Sequence, residues 1–307
     1  MRASPFVPAQ YPELAGARRR SASINSEWLS GRIAAIAAQF ADIDNVEEIE
    51  RRATAWLTDP CQVQALLQPL INALAADPWF EPPFKVSRDR LRTGIALLDC
   101  PAVALSVTTI CAAELNRLPL PATVVMPGRV TLTHYVRAGK ALMRRWRAAP
   151  AARDFSATGA ASARELSPHV LEDSALIRQD GRTSGHLFVR AEGDIVALTA
   201  TIKPSAAPLI REYAIADGSL VRVACADEAA SRIEMLLTFL RVSGRTDASA
   251  IFDSTSRHPA FHLRWSAMRE WLMLDGYTAR TRLAEMCAHD ANAEVRAAAA
   301  ATLPLLD

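Results

Sequence analysis

The chain has 307 residues, 50% of them hydrophobic and 22% charged, with a net charge of +2. That length and apolar content allow a large buried core, as two domains or one with appendages, and exclude a disordered or wholly cationic chain. No apolar run approaches the ~18 residues of a membrane span, and the cysteines (Cys61, Cys100, Cys111, Cys225, Cys287) are odd in number and never in C-x-x-C spacing, which points to buried thiols in a reducing, cytoplasmic compartment rather than a disulfide framework.

Residues 1–24 contain Pro5, Pro8, Pro12 and the run Arg18-Arg19-Arg20. No apolar stretch follows the basic run, so it is not a secretory signal, and the segment reads as a loosely ordered lead-in. Residues 25–80 read as N-terminal helices. Leu29, Ile33, Ile36, Ala37 and Phe40 share one helical face, as do Val46, Ile49, Ala53, Trp56 and Leu57. Asn45 and Glu48 open the second helix in a capping-box-like arrangement. Val63, Leu66, Leu67, Leu70, Ile71 and Leu74 form a third stripe, in which Pro69 predicts a kink or break.

The texture changes over 84–226, where short apolar runs alternate with turn residues. Strands are predicted at Thr93–Leu98, Ala102–Ile110, Thr123–Met126, Val130–Val136, Gly185–Arg190, Ile195–Ile202, Leu209–Ile215 and Leu220–Cys225. The turns Glu192-Gly193-Asp194 and Asp217-Gly218 suggest a four-strand antiparallel meander over 185–225. Residues 150–168, rich in Ala, Ser and Gly, read as a loop. Gly128-Arg129 is followed by Tyr135-Val136-Arg137-Ala138, and Gly181-Arg182, 53 residues on, by Phe188-Val189-Arg190-Ala191. This echo suggests two related β halves, as in a jelly roll or double-stranded β-helix.

Helical periodicity returns over 227–307. Ile233, Leu236, Leu237 and Leu240 form one stripe. Residues 245–258 are polar and read as a loop. Leu263, Ala267, Trp271 and Leu274 share a face, and Trp265, Met268 and Leu272 a second, which describes a helix sandwiched between neighbours. Ala279, Leu283, Met286 and Cys287 stripe the next helix, then Val295, Ala299 and Leu303 the last, with Asn292 as its N-cap.

Two resemblances rest on these residues. Asp290, the Val295-Arg296 pair, Ala297–Ala301 and Leu303 resemble the second helix of a HEAT repeat, and the hairpin at about 277–305 is similar to one such repeat. The resemblance implies a surface for partners rather than an active site, with one repeat packed on something else. Gly181-Arg-Thr-Ser-Gly-His186, with Glu192 beyond, resembles the first cupin motif. It departs from that motif at Phe188, where a second histidine belongs. The resulting expectation is an α+β chain: an antiparallel β-rich central domain with cupin or jelly-roll-like half repeats, flanked by N-terminal helices and a C-terminal HEAT-like segment.

Two chemistries compete. Arg137, Lys140, Arg144, Arg145 and Arg147 cluster with Tyr135 and Trp146, and Arg88, Arg90 and Arg92 alternate upstream. Such clusters take acidic partners, so Arg137, Arg144, Arg145, Arg147 and Arg296 are the partner-binding candidates, for a protein or acidic peptide. The near-neutral net charge and the missing fold motif speak against nucleic acid. The alternative is a divergent cupin-like metal enzyme of oxygenase type, holding iron or another divalent metal on His169, His186 and Glu192. His258 and His262 stand at i, i+4, but Pro259 places His258 outside the helix. With no G-x-S-x-G, P-loop or G-x-G-x-x-G, the reading is a non-enzymatic accessory or interaction protein without cofactor. Whether it is an enzyme, and whether it self-associates, stay open at this level.

Overall fold

The structure, a computed structural model, describes residues 12–151, 155–157, 159–226 and 228–306. The first part of the expected lead-in, 1–11, lies outside the described residues. The rest of it is helical, which corrects the expectation. Helix α1 (Pro12–Trp28) passes through a π-helical turn (Leu29–Ile33) into α2 (Ala34–Ala38). Its buried face is Ala17, Ser21 and Trp28, mostly small residues, so hydrophobic periodicity could not reveal it. The Trp28 indole N–H donates to the Leu66 carbonyl at 2.7 Å, tying α1 to α4 (Pro60–Ala76). α4 runs through Pro69 without ending there. Between them, α3 (Val46–Thr58) starts at Asn45, whose side chain accepts from the Glu48 N–H at 3.1 Å.

Twelve strands are described: β1 (Lys85–Arg88), β2 (Arg92–Asp99), β3 (Val103–Ile110), β4 (Thr123–Met126), β5 (Val130–Arg137), β6 (Leu142–Arg147), β7 (Arg164–Val170), β8 (Ala175–Asp180), β9 (Ser184–Arg190), β10 (Ile195–Ile202), β11 (Leu209–Ala214) and β12 (Leu220–Cys225). A short helix, α5 (Ala112–Arg117), separates β3 from β4. One sheet has the order β1-β2-β3-β10-β5-β8; the other face consists of β7-β6-β9 and β12-β11-β4, all antiparallel. β4 runs alongside β9, closest at Gly185, where an added Cβ would strike the Val125 carbonyl oxygen. The eight consecutive strands β3 to β10 are therefore arranged as β3-β10-β5-β8 facing β4-β9-β6-β7. That is the strand order of a jelly roll, two Greek keys folded together.

The meander expected over 185–225 does not form. β9 and β10 belong to opposite sheets, and only the β11–β12 pair, turning at Gly218 with φ +73°, is a hairpin there. β1, β6, β7 and β8 went unpredicted, because arginines, prolines and exposed positions replace apolar alternation in them. β7 also occupies the end of the expected 150–168 loop.

The sequence echo has a structural counterpart. β5 and β9, which carry it, each form the third strand of one Greek key. The two Gly-Arg pairs meet: the Gly128 N–H donates to the Gly181 carbonyl, and the Gly181 N–H to the Arg129 carbonyl, both at 2.9 Å. At the other ends, Ala138 N–H donates to the Asp173 carboxylate at 2.7 Å and Ala191 N–H to the Asn116 amide oxygen at 3.1 Å. The Glu192 N–H reaches the Gly139 carbonyl at 2.8 Å.

The apolar cores lie mainly outside the barrel. Val103, Leu105, Val130, Leu132, Leu198, Ala200 and Ile202 on the outer face of the larger sheet pack with Trp56, Ile49 and Phe40 of the N-terminal helices. Val124, Met126, Trp146 and Tyr213 form the outer core of the second face. Inside, Tyr135, Met143, Phe188 and Ile177 close one end.

The C-terminal helices are α6 (Glu228–Val242), α7 (Ser249–Thr255), α8 (Phe261–His289) and α9 (Ala293–Thr302). Residues 245–258, expected as loop, hold a 3-10 turn and α7, anchored by fully buried Phe252. α8 breaks at Asp275 (φ −155°, ψ 89°), so its second half and α9 form a helical hairpin. Val295 and Ala299 face its core, and Asn292 caps α9 by accepting from Glu294 and Val295 N–H. These are the helices of the expected hairpin; the finer HEAT identity is not established by them.

Candidate functional site

Strand alternation decides which side chains enter the barrel. Tyr135 of β5 meets Phe188 of β9 edge-on, ring centroids 6.2 Å apart, so both point inward. Residues two and four positions from Tyr135 along β5, and those in register with them, follow: Thr131, Thr133, Thr199, Thr201, Ser106 and Thr108 line the inner face of the larger sheet. All are partly exposed, and the Thr133 and Thr199 hydroxyls lie 3.2 Å apart. A barrel filled for stability alone would bury apolar side chains here; this one keeps hydroxyls accessible.

On the opposite wall, Arg145 of β6 stands directly across from His186 of β9. Both point into a cavity of about 200 Å³ that reaches Gln179 of β8, Leu166 of β7 and Arg147 at its rim. His186 Nδ1 contacts the Gln179 side-chain oxygen at 2.5 Å. Burial of the ring pushes the His186 pKa down to about 4, because the charged form loses its hydration there. At neutral pH it is an uncharged imidazole. Arg145 Nη2 donates to the Ser167 carbonyl at 3.2 Å, but its Nε–H is buried and meets no acceptor. Among the described residues no carboxylate pairs with Arg145 or with Arg147. A guanidinium N–H that is buried and idle is costly unless an acceptor completes it, and an anionic one does so best.

The basic cluster thus divides by strand parity. Arg145 and Arg147 share the inner side. Arg144 points out, pairs with Glu165 at 2.6 Å and lies 4.9 Å over the Trp146 ring. Arg137 is exposed beside a different cavity, between the β5–β6 and β9–β10 turns. Arg90 pairs with Glu114 and Arg92 with Asp89, so the upstream arginines form no single stripe. Arg296 is engaged at the turn before α9, donating to the Asp290 carbonyl at 2.5 Å and the Ala291 carbonyl at 3.2 Å.

The three expected metal ligands do not converge. His186 is inside the barrel, His169 is exposed on β7 opposite Met143, and Glu192 lies in the β9–β10 turn, bound to Lys140 at 2.8 Å. Among the described residues no three His, Cys, Asp or Glu side chains gather as a metal site. What sequence reasoning missed is the pairing of Arg145 with His186. Each was a candidate for a different chemistry, and only strand register makes them neighbours. β6 itself was unpredicted, so the register had no starting point.

No family model matches the chain, and no curated protein matches it. Solved structures similar to parts of it include the 7S globulin of Momordica charantia (9% identity over 43% of this chain and 35% of that one, TM-score 0.26). Others are the ectoine synthase of P. lautus (13%, 39% and 69%, TM-score 0.23) and the oxalate decarboxylase of Bacillus subtilis (10%, 43% and 30%, TM-score 0.25). The chain thus spans about a third of the length of the globulin. Likeness at these scores carries no argument; the jelly-roll assignment rests on the strand order above. No helix among the described residues is long and apolar enough to cross a membrane.

Proposed function

We propose that this chain is a non-enzymatic accessory protein that receives an acidic group of a protein or peptide partner in the barrel cavity at Arg145. The observation that supports this reading is the buried Nε–H of Arg145, which has neither acceptor nor carboxylate partner. A guanidinium presents planar paired donors that match a carboxylate. Neutral His186, held by Gln179, offers a polar wall beside it without adding charge, and Arg147 at the rim adds attraction on approach. At about 200 Å³ the cavity is smaller than the ~300–1,000 Å³ typical of whole-ligand pockets. It suits one side chain or chain terminus rather than a free nucleotide or cofactor.

The metal-enzyme alternative needs His169, His186 and Glu192 around one iron or other divalent ion. Two of the three lie on the surface, away from His186's cavity, so the geometry favours the binding reading. The experiment is fluorescence anisotropy with labelled peptides rich in Asp and Glu, against matched peptides carrying Asn and Gln. Acidic peptides bind, and Arg145→Gln weakens them about tenfold or more, the scale of a buried charge-assisted pair. Arg144→Gln, on the outer face, leaves affinity unchanged. Equal affinity of wild type and Arg145→Gln, or no preference for the acidic peptides, overturns the proposal.

A further inference from the structure

A second cluster lies where the barrel meets the C-terminal helices. β12 ends at Cys225, whose Sγ is 3.2 Å from Nε2 of His262, in the first turn of α8. Both residues are partly exposed. The ring of His262 stands edge-on to Phe261, centroids 5.7 Å apart. Cys225 also lines an open cavity of about 620 Å³ at the barrel mouth, shared with Thr131, Thr201, Ile210 and Arg129. Arg129 donates to the Ala226 carbonyl at 3.3 Å, which holds a guanidinium one residue from the thiol. Cys100, by contrast, has its thiol turned to the Val103 carbonyl at 3.3 Å.

An imidazole in hydrogen-bond contact with a thiol accepts its proton, and a nearby cation favours the resulting thiolate. We propose that Cys225 is a reactive thiol, activated by His262, that reduces small hydroperoxides entering from the barrel mouth. The thiolate sulfur attacks one peroxide oxygen. An S–O bond forms and the O–O bond breaks. The departing hydroxide or alkoxide takes the proton held on His262. The sulfur is oxidised by two electrons to a sulfenic acid, and the peroxide is reduced to water or an alcohol. The cavity is open and lined mainly by apolar groups, with Thr131, Thr201 and Arg129 among the polar exceptions, which admits a small neutral oxidant.

The test treats the full chain with hydrogen peroxide in the presence of dimedone, which traps sulfenic acid, and locates the adducts by peptide mass spectrometry over time. Cys225 is labelled about tenfold faster than the exposed Cys61, and His262→Gln lowers the Cys225 rate by about tenfold while leaving Cys61 unchanged. Labelling of Cys225 no faster than Cys61 in the wild-type protein overturns the inference, and that comparison needs no variant. So does an unchanged Cys225 rate in a His262→Gln protein whose thermal unfolding matches the wild type.

Discussion

Acidification should weaken this fold through one histidine. His186 has an ordinary pKa of 6.5 when unfolded and about 4 in the barrel, because burial penalises its charged form. Between those values the unfolded chain binds a proton that the folded chain does not, so stability is fully present above about pH 6.5 and falls as pH drops toward 4. With these two pKa values the loss between pH 7 and pH 5 is about 2 kcal/mol, approaching about 3 kcal/mol at the lower end. The perturbation is His186→Gln, which keeps a polar side chain facing Gln179 but removes the titration. The assay is urea unfolding of wild type and variant at pH 7, 6 and 5. The wild type should lose about 2 kcal/mol more than the variant over that range. Other groups titrate in both proteins and cancel in the difference. Equal losses would show that the ring is hydrated in the folded protein and not enclosed by the cavity wall.

Two other perturbations test the frame. Asp290 and Arg264 form an ion pair at 2.5 Å with 2% and 11% of their side chains exposed, so Asp290→Ala strands a buried guanidinium and should cost about 3–5 kcal/mol in urea unfolding; a cost below about 1 kcal/mol would show the pair to be solvated. Gly139 has φ +55°, and an added Cβ would run into the Gly193 backbone, so Gly139→Ala should destabilise by about 2 kcal/mol or more, whereas Gly31, with open space around it, should accept alanine at no cost by thermal unfolding.

Local signals in the chain were enough for its large-scale order of helices, strands and helices. The stripes Ile49-Ala53-Trp56-Leu57 and Leu263-Ala267-Trp271 are buried where periodicity puts them, and Thr123–Met126, Ile195–Ile202 and Leu220–Cys225 are strands over those residues. Burial on one face writes a period into the sequence, and these elements bury one face. The Gly-Arg echo was also visible, and its two glycines meet in the fold, Gly128 at φ +77° and Gly181 against the Arg129 carbonyl.

Tertiary structure alone decided the rest. α1 was hidden because it packs through Ala17 and Ser21, too small to register as an apolar stripe. β6, β7 and β8 were hidden because arginines, a proline and exposed positions interrupt the apolar alternation in them. The pairing of β9 with β6 rather than β10 is a long-range choice, and no local turn encodes it. That choice sets Arg145 beside His186, away from His169 and Glu192, while alternation within β6 turns Arg144 outward. The same long-range packing brings Cys225 to His262, 37 residues on. Residue types show what chemistry a chain can carry; register and packing determine which of those residues meet, because contacts between distant segments depend on the whole fold.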